Sequence, residues 1–502
     1  MKNISESYKM VALFLLILAI PVVAQEADDV PLGACAGPTT TLDGPDQAEA
    51  RKADERSQAV DDLFSTWHSP DSPGAAVLVM EHGSIVHSRG YGMANLEHGI
   101  RIRPNSVFDI ASISKQFGAF AVALLEAEGR IDFNDDIRTY IPELPDFGHV
   151  ITIRHLIHHT SGLRDWPGTL RMAGWDYNDV ISFEQILRMA YSQEDLNFPP
   201  GDDFAYSNTG YNLLAELVQR VTGQRYREYT EEKIFQPLGM NSTHFHDDHT
   251  EVVDGLADSY RNGDDGNYRK VTNNLTALSS SSLHTSVQDL ALWMANFSEP
   301  VVGSSAVVER MYEVGVLNDG EELDYAFGVR IDSFRGLSRV SHGGSWAGYR
   351  STLQMFPDEG VAFVILTNTP GINAGEMGQE VAEIYLGDRL ESRSESVDES
   401  GESEESAKWE PSSQELAEYE GVYQSTELWT SWVLTAEEDG SLTARHFRAG
   451  DVTFSPGDDP DHFTAPAFGG VQFERDSSGR IDGFTANSDR IRGLRFHRIE
   501  SE

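Results

Sequence analysis

The feature that most constrains this chain is the sequence distance between its two blocks of strand-like pattern. Ala75–Met80 and Ser84–Val86 read as β runs joined by a tight turn at Glu81-His82-Gly83, and strand character returns only at Leu337–Phe356 and Val361–Asn368. Between them the period is helical. Helices are expected after Asp109, where Phe117, Phe120, Ala121, Leu124 and Leu125 share a side and Gly129 stops the pattern, and at Ile153–Ile157, Phe183–Ala190, Tyr211–Val221 and Val287–Phe297. Two further helices, an amphipathic one within Ala48–His68 and another at Gly375–Leu386, flank the strand blocks. Strands at both ends with helices between them indicate an α/β (α+β) domain.

The stretch 391–408 is rich in Ser and Glu and lacks aromatics, which suits a charge-extended linker and divides the chain. Beyond it, residues 409–502 carry short alternating runs such as Trp432-Val433-Leu434 and Val471-Gln472-Phe473. Asp439-Gly440, Pro456-Gly457 and Ser478-Gly479 separate them, so a small antiparallel β-barrel (lipocalin-like) or a sandwich is expected. At the other end, Lys2 and Lys9 precede an apolar run, Val11–Val23, too short for a comfortable membrane span. Residues 1–24 are expected to be a signal peptide cleaved after Ala24, giving a secreted or periplasmic protein with no stable membrane insertion. Residues 25–47 are expected to be an irregular segment, and 48–390 the principal domain. Lipidation at Cys35 stays open.

Against 38 Lys and Arg stand 81 Asp and Glu, a formal net charge of −43 that argues against a nucleic-acid partner. The expected partner is a small-molecule or peptide substrate; nothing in the sequence fixes the oligomeric state. The single cysteine excludes an intramolecular disulfide framework. Lysine is scarce, which draws attention to Lys115.

Lys115 closes the motif Ser112-Ile113-Ser114-Lys115 at the start of a predicted helix. Side chains three apart on a helix share a face, so Lys115 Nζ can approach Ser112 Oγ. A serine hydroxyl needs an adjacent base to become a nucleophile, and lysine can be that base if burial and nearby cations depress its pKa. Further on come Tyr206-Ser207-Asn208 at a loop-to-helix junction and His342-Gly343-Gly344-Ser345 on a predicted strand.

This ordered trio, S-x-x-K, Y-x-N and H-x-G, resembles the serine β-lactamase and penicillin-binding-protein superfamily, in its class C β-lactamase-like branch. Leu156-Ile157-His158-His159-Thr160-Ser161-Gly162-Leu163 is similar to the family's LLxHTSGL stretch, and the likeness spans about Asp71 to Leu386. The resemblance implies a β-lactamase/transpeptidase-like fold, an antiparallel sheet flanked by helices plus an all-helical region, with the site in the cleft between them. It implies Ser112 as acylated nucleophile, Lys115 as base, Tyr206 as proton carrier to the leaving group, and Asn208 as support for Lys115 and for the substrate's amide. The H-x-G strand, His342 with Gly344 and Ser345, would border the substrate, and the N–H groups of Ser112 and Ser345 would form the oxyanion hole.

The resemblance thus leads to a secreted serine hydrolase acting on an ester or amide through a Ser112 acyl-enzyme, carboxylesterase or D-amino-acid peptidase-like, with no cofactor and no metal. The alternative is a catalytically silent protein of the same fold that binds cell-wall fragments or penicillin. His342 stands where relatives commonly carry lysine, which weakens the anchor for an anionic substrate and leaves β-lactam hydrolysis at most weak. Tyr206 and Asn208 could instead be turn and N-cap residues. Trp346 and Tyr349 could line the pocket or the core. The roles of Asp165 and Trp166 are open. His155, His158 and His159 are expected to be structural, and His244-Phe245-His246-Asp247-Asp248-His249 to be a solvated loop rather than a metal site.

Overall fold

The computed structural model describes residues 45–392, 409–438 and 440–499. The expected signal peptide, Cys35 and nearly all of the acidic linker lie outside the described residues. Among these residues, one antiparallel sheet runs in the order Arg330–Phe334, Leu337–Trp346, Tyr349–Phe356, Val361–Thr367, Ala75–Glu81, Ser84–Tyr91. The two distant strand blocks meet at its centre, where Ala75 pairs with Thr367 and Glu81 with Val361.

Apart from Glu81 and Thr367 at their ends, these central strands are apolar because both of their faces are covered. Ala76, Leu78 and Met80 belong to one core with Phe117, Phe120 and Leu366, whereas Ala75, Val77 and Val79 belong to another with Val60, Phe64, Val381 and Leu386. The period-2 alternation of a strand therefore serves two helical layers at once. The helix Ser114–Ala127 is buried along most of its length, which explains why it shows few polar residues. Its core Gln116 accepts from Trp293 Nε1 at 2.9 Å.

Several helix starts follow their local chemistry. Ile153–Ile157 opens on a capping box between Thr152 and His155, and Phe183–Tyr191 on one between Ser182 and Gln185. The helix Asn208–Thr222 is capped by Ser207, whose Oγ accepts from Gly210 N at 3.3 Å, and ends at Gly223 in the left-handed region. Asn208 is thus not the cap; its side chain is free for another task.

His244–His249 is not the solvated loop its acidic neighbours suggest. His244–Phe245 forms a strand beside Leu283–Thr285, which in turn pairs with Phe108–Asp109. His246 is buried and only the end of the segment, Asp248 and His249, is exposed.

The C-terminal part is a closed antiparallel barrel of eight strands from Gly421–Ser425 to Ile491–Ile499, the last pairing with the first through Val422 and Ile499. Its interior is packed with Tyr423, Trp432, Phe454, Phe468, Phe473, Phe484 and Phe496, so it is a solid core. The barrel lies against the segment Trp166–Gly174. Trp432 Nε1 donates to Met172 O at 2.9 Å, and Gly168 leaves room for Ile491, whose Cδ1 would stand 2.5 Å from a Cβ placed there.

Candidate active site

Ser112 lies on a one-turn 3-10 helix, Ala111–Ile113, and the α-helix proper begins at Ser114, two residues later than the motif alone suggests. Ala111 sits at φ +49°, a strained position for a residue with a Cβ. Asp109 holds it there, its Oδ1 accepting from Ala111 N at 2.7 Å. The turn packs against the strand Leu337–Trp346. A Cβ on Gly344 would lie 2.2 Å from Ile110 O and 2.3 Å from Ser351 Oγ, so only glycine lets the turn that carries Ser112 approach the strand. Register with Arg330–Phe334 ends at Ser341, leaving His342–Trp346 as a free edge beside the turn, with Ser345 exposed.

Lys115 is fully buried, and its Nζ is 3.3 Å from Ser112 Oγ, 2.7 Å from Asn208 Oδ1 and 2.7 Å from Ser280 O. Burial pushes its pKa well below the ordinary value; Asp165 pulls it back and Arg490 pushes it further down. In the neutral amine the two N–H bonds go to the two carbonyl oxygens. The lone pair is then left for the proton of Ser112.

Asp165 fixes which end of Asn208 faces the lysine. Its carboxylate accepts from Asn208 N at 2.7 Å and from Asn208 Nδ2 at 3.0 and 3.1 Å, so Oδ1 has to turn toward Lys115. Both ends of the amide are already engaged, and a substrate amide at Asn208 has to compete with Asp165. Burial raises the pKa of Asp165 while Arg490 and the Asn208 N–H groups oppose the rise. Arg490 comes from the barrel, on the hairpin between its last two strands. Its guanidinium lies 3.0 Å from Asp165 Oδ2 and 4.8 Å from the centre of the Tyr206 ring.

That ring is held on several sides. Lys115 Nζ lies 4.8 Å from its centre and the His159 ring 4.2 Å, while His159 Nδ1 accepts from Ser207 N at 3.0 Å. The Tyr206 hydroxyl is buried against Ser112, without a hydrogen bond of good geometry among the described residues, and burial keeps it protonated by raising its pKa. His342 is buried. Its Nδ1–H donates to Gly343 O at 2.6 Å, and its Nε2 faces the Tyr325 hydroxyl at 3.1 Å. Burial and the neighbouring Lys115 drive its pKa down to about 3, so it is a neutral wall of the cleft.

Of the other aromatic residues, Tyr349 is core, its hydroxyl donating to Ala257 O at 2.7 Å. Trp346 remains half-buried, with its ring near Trp166 and Tyr177 and its Nε1 donating to Asn273 Oδ1 at 3.0 Å. His155 serves its capping box and His158 packs on Phe327, so His155, His158 and His159 have separate structural tasks.

A part-exposed serine beside a buried lysine, with a fixed amide, an adjacent phenol and a free strand edge, is an arrangement able to support acyl-transfer chemistry. The β-lactamase family model matches residues 52–385. The chain belongs to that family. Penicillin-binding protein 4* of Bacillus subtilis is 31% identical over 336 residues, covering 61% of this chain and 70% of that protein. A D-aminopeptidase of Gluconobacter oxydans is 27% identical over 299 residues, covering 59% of this chain and only 56% of that enzyme. The octameric penicillin-binding protein homologue of Pyrococcus abyssi superposes with a TM-score of 0.58 at 21% identity, over 90% of this chain and 98% of that one, and so shares the overall fold. Within this β-lactamase-family site, the motifs announce Ser112, Lys115, Tyr206, Asn208 and His342. Asp165, adjacent to the HTSGL stretch, is marked by position alone. Tyr325, Ser280 and Arg490 carry no local signal.

Proposed function

We propose that this β-lactamase-family protein is a serine hydrolase that cleaves esters or amides through an acyl-enzyme on Ser112. The observation that carries this reading is the environment of Lys115: a buried amine with two carbonyl acceptors and its third direction at Ser112 Oγ. Neutral Lys115 takes the Ser112 proton as Oγ adds to the substrate carbonyl, and the oxyanion is held by backbone N–H groups of Ser112 and Ser345. Tyr206, kept protonated by burial, gives its proton to the leaving alkoxide or amine and recovers one from Lys115. Water then attacks the acyl group by the reverse proton route. The neutral His342 offers an anionic substrate no fixed charge, which supports small esters and D-amino-acid amides or peptides over β-lactams. The D-aminopeptidase relative supports the same substrate class.

The test compares turnover of p-nitrophenyl butyrate, D-alanyl-p-nitroanilide and nitrocefin, together with labelling by a fluorophosphonate probe. The expected order places the ester first and nitrocefin last. A nitrocefin rate well above the ester rate overturns the substrate reading, and failure of the probe to label Ser112 alongside a labelled control overturns the enzyme reading.

A further inference from the structure

Away from the cleft, the small sheet formed by Phe108–Asp109, Leu283–Thr285 and His244–Phe245 gathers three histidines. His244 and His246 stand two residues apart in an extended segment and so project to one face, and His284 lies directly across from His244. The rings of His246 and His284 stack with centroids 4.4 Å apart, and His244 meets His284 edge-on at 5.5 Å. One ring nitrogen from each residue falls within 4.8 Å of the others.

The cluster is enclosed and short of partners. The side chains of His246 and His284 are 6% and 3% exposed. Nε2 of His244, Nδ1 of His246 and both ring nitrogens of His284 are buried without a hydrogen-bond partner among the described residues. A buried polar atom left unpaired is costly, and four in one cluster call for a common partner. Burial also lowers the pKa of all three rings, so each is neutral and offers a lone pair.

We propose that His244, His246 and His284 bind one divalent transition-metal ion, Zn2+ fitting best, as a structural brace behind the nucleophile's turn. Three imidazoles suit Zn2+ and its neighbours in the first transition row, whereas Mg2+ and Ca2+ require oxygen ligands. Zn–N bonds of about 2.0–2.1 Å set the nitrogens roughly 3.4 Å apart in a tetrahedron, so the rings have to draw in by about an ångström. Two carboxylates stand at the edge. Glu251 Oε2 is 3.8 Å from His246 Nδ1 and can complete the fourth position. Asp109 Oδ2 is 3.8 Å from His284 Nε2, where a carboxylate orients a ligating imidazole that uses its other nitrogen on the metal. Arg227 brings positive charge nearby, but that charge is paired with Asp247 and Glu251.

The ion would tie together strands that already lead to the catalytic turn. His246 N donates to Ser282 O and Ile110 N to Leu283 O, while Asp109, paired with His284, also holds Ala111. Clamping the histidines therefore fixes the chain that leads into Ser112 without touching substrate.

The experiment strips the full-length protein with a chelator and titrates it with ZnCl2, following bound zinc by elemental analysis, the melting temperature, and the visible bands of a Co2+ replacement. The expected result is about one tight equivalent per chain with a rise in melting temperature and tetrahedral Co2+ bands. His246→Asn, which retains the sheet, and His284→Ala are both expected to weaken zinc at least about 100-fold, whereas His249→Ala leaves it unchanged. Less than a tenth of an equivalent bound by the stripped wild type overturns the proposal. So does wild-type affinity in both His246→Asn and His284→Ala.

Discussion

The candidate active site draws on two regions of the chain that obey different rules. The motif region, Ser112 to Asn208, supplies groups whose identity is dictated by chemistry: a hydroxyl, an amine able to lose its proton, a phenol. The barrel region supplies Arg490 and Glu427, whose identity is dictated by charges buried in the other part, Asp165 and Arg164. Arg164 shows this most clearly, being 1% exposed and held by Glu427 at 3.0 Å, by Asp195 O and by the carbonyls of Arg492 and Gly493. The difference teaches that the barrel is not an appendage. Through Arg490 it fixes Asp165, through Asp165 the amide of Asn208, and through Asn208 the amine of Lys115.

The largest effect is expected within the motif region. Lys115→Ala removes the base for Ser112 and should lower acylation by about 10³-fold or more, with circular dichroism unchanged. Lys115→Arg should be equally inactive, because a guanidinium cannot give up its proton. Probe labelling and ester turnover measure both, and a Lys115→Arg variant with near-native rate erases the difference between the two regions.

Next comes the buried pair that joins the regions. Glu427→Ala leaves the Arg164 guanidinium buried without its carboxylate and should cost about 3–5 kcal/mol, read from chemical denaturation of the whole protein. A loss under 1 kcal/mol means that the backbone carbonyls suffice and that the barrel is only loosely docked.

Arg490→Ala sharpens the comparison further, because Arg490 lies far in sequence from every motif yet its loss should change the chemistry. Its guanidinium disfavours the charged form of Lys115 and neutralises Asp165. Removing it takes away a cation that repels the charged amine, and this raises the pKa of Lys115. Since the reaction needs the neutral amine, the acid limb of the pH–rate profile should move to higher pH, and kcat at neutral pH should fall about 10–100-fold. A change in KM alone, with the profile unmoved, assigns Arg490 to substrate contact instead of to positioning.

How far the sequence reveals this site follows the same division. Ser112, Lys115, Tyr206, Asn208 and His342 are legible because short-range chemistry forces residue types into fixed spacings. The two-faced central strands are legible because burial on both sides leaves no polar position between their ends. His342 could be read as neutral from its ordinary pKa alone; the structure adds burial, which lowers that pKa to about 3. Arg490 is illegible because an arginine in a turn of an acidic chain looks solvated, and only the docked barrel reveals Asp165 beneath it. The same holds for His246 and His284, whose burial depends on a strand pairing that Asp247 and Asp248 disguise.

The smallest effect should come from the outer rim of the same junction. Arg448, also on the barrel, stacks 4.1 Å from the Trp175 ring centre and pairs with Asp179 at 2.7 Å, but its side chain is 35% exposed and that of Asp179 28%. An ion pair so open to water contributes about 0–1 kcal/mol and weakens with salt. Arg448→Ala should therefore leave the pH–rate profile unmoved and lower stability by less than about 1 kcal/mol, with the gap from wild type narrowing in high salt. If it matched the loss in Glu427→Ala, the junction would be held by its rim, and the buried Arg164 would no longer explain why a packed barrel stays docked at the candidate site.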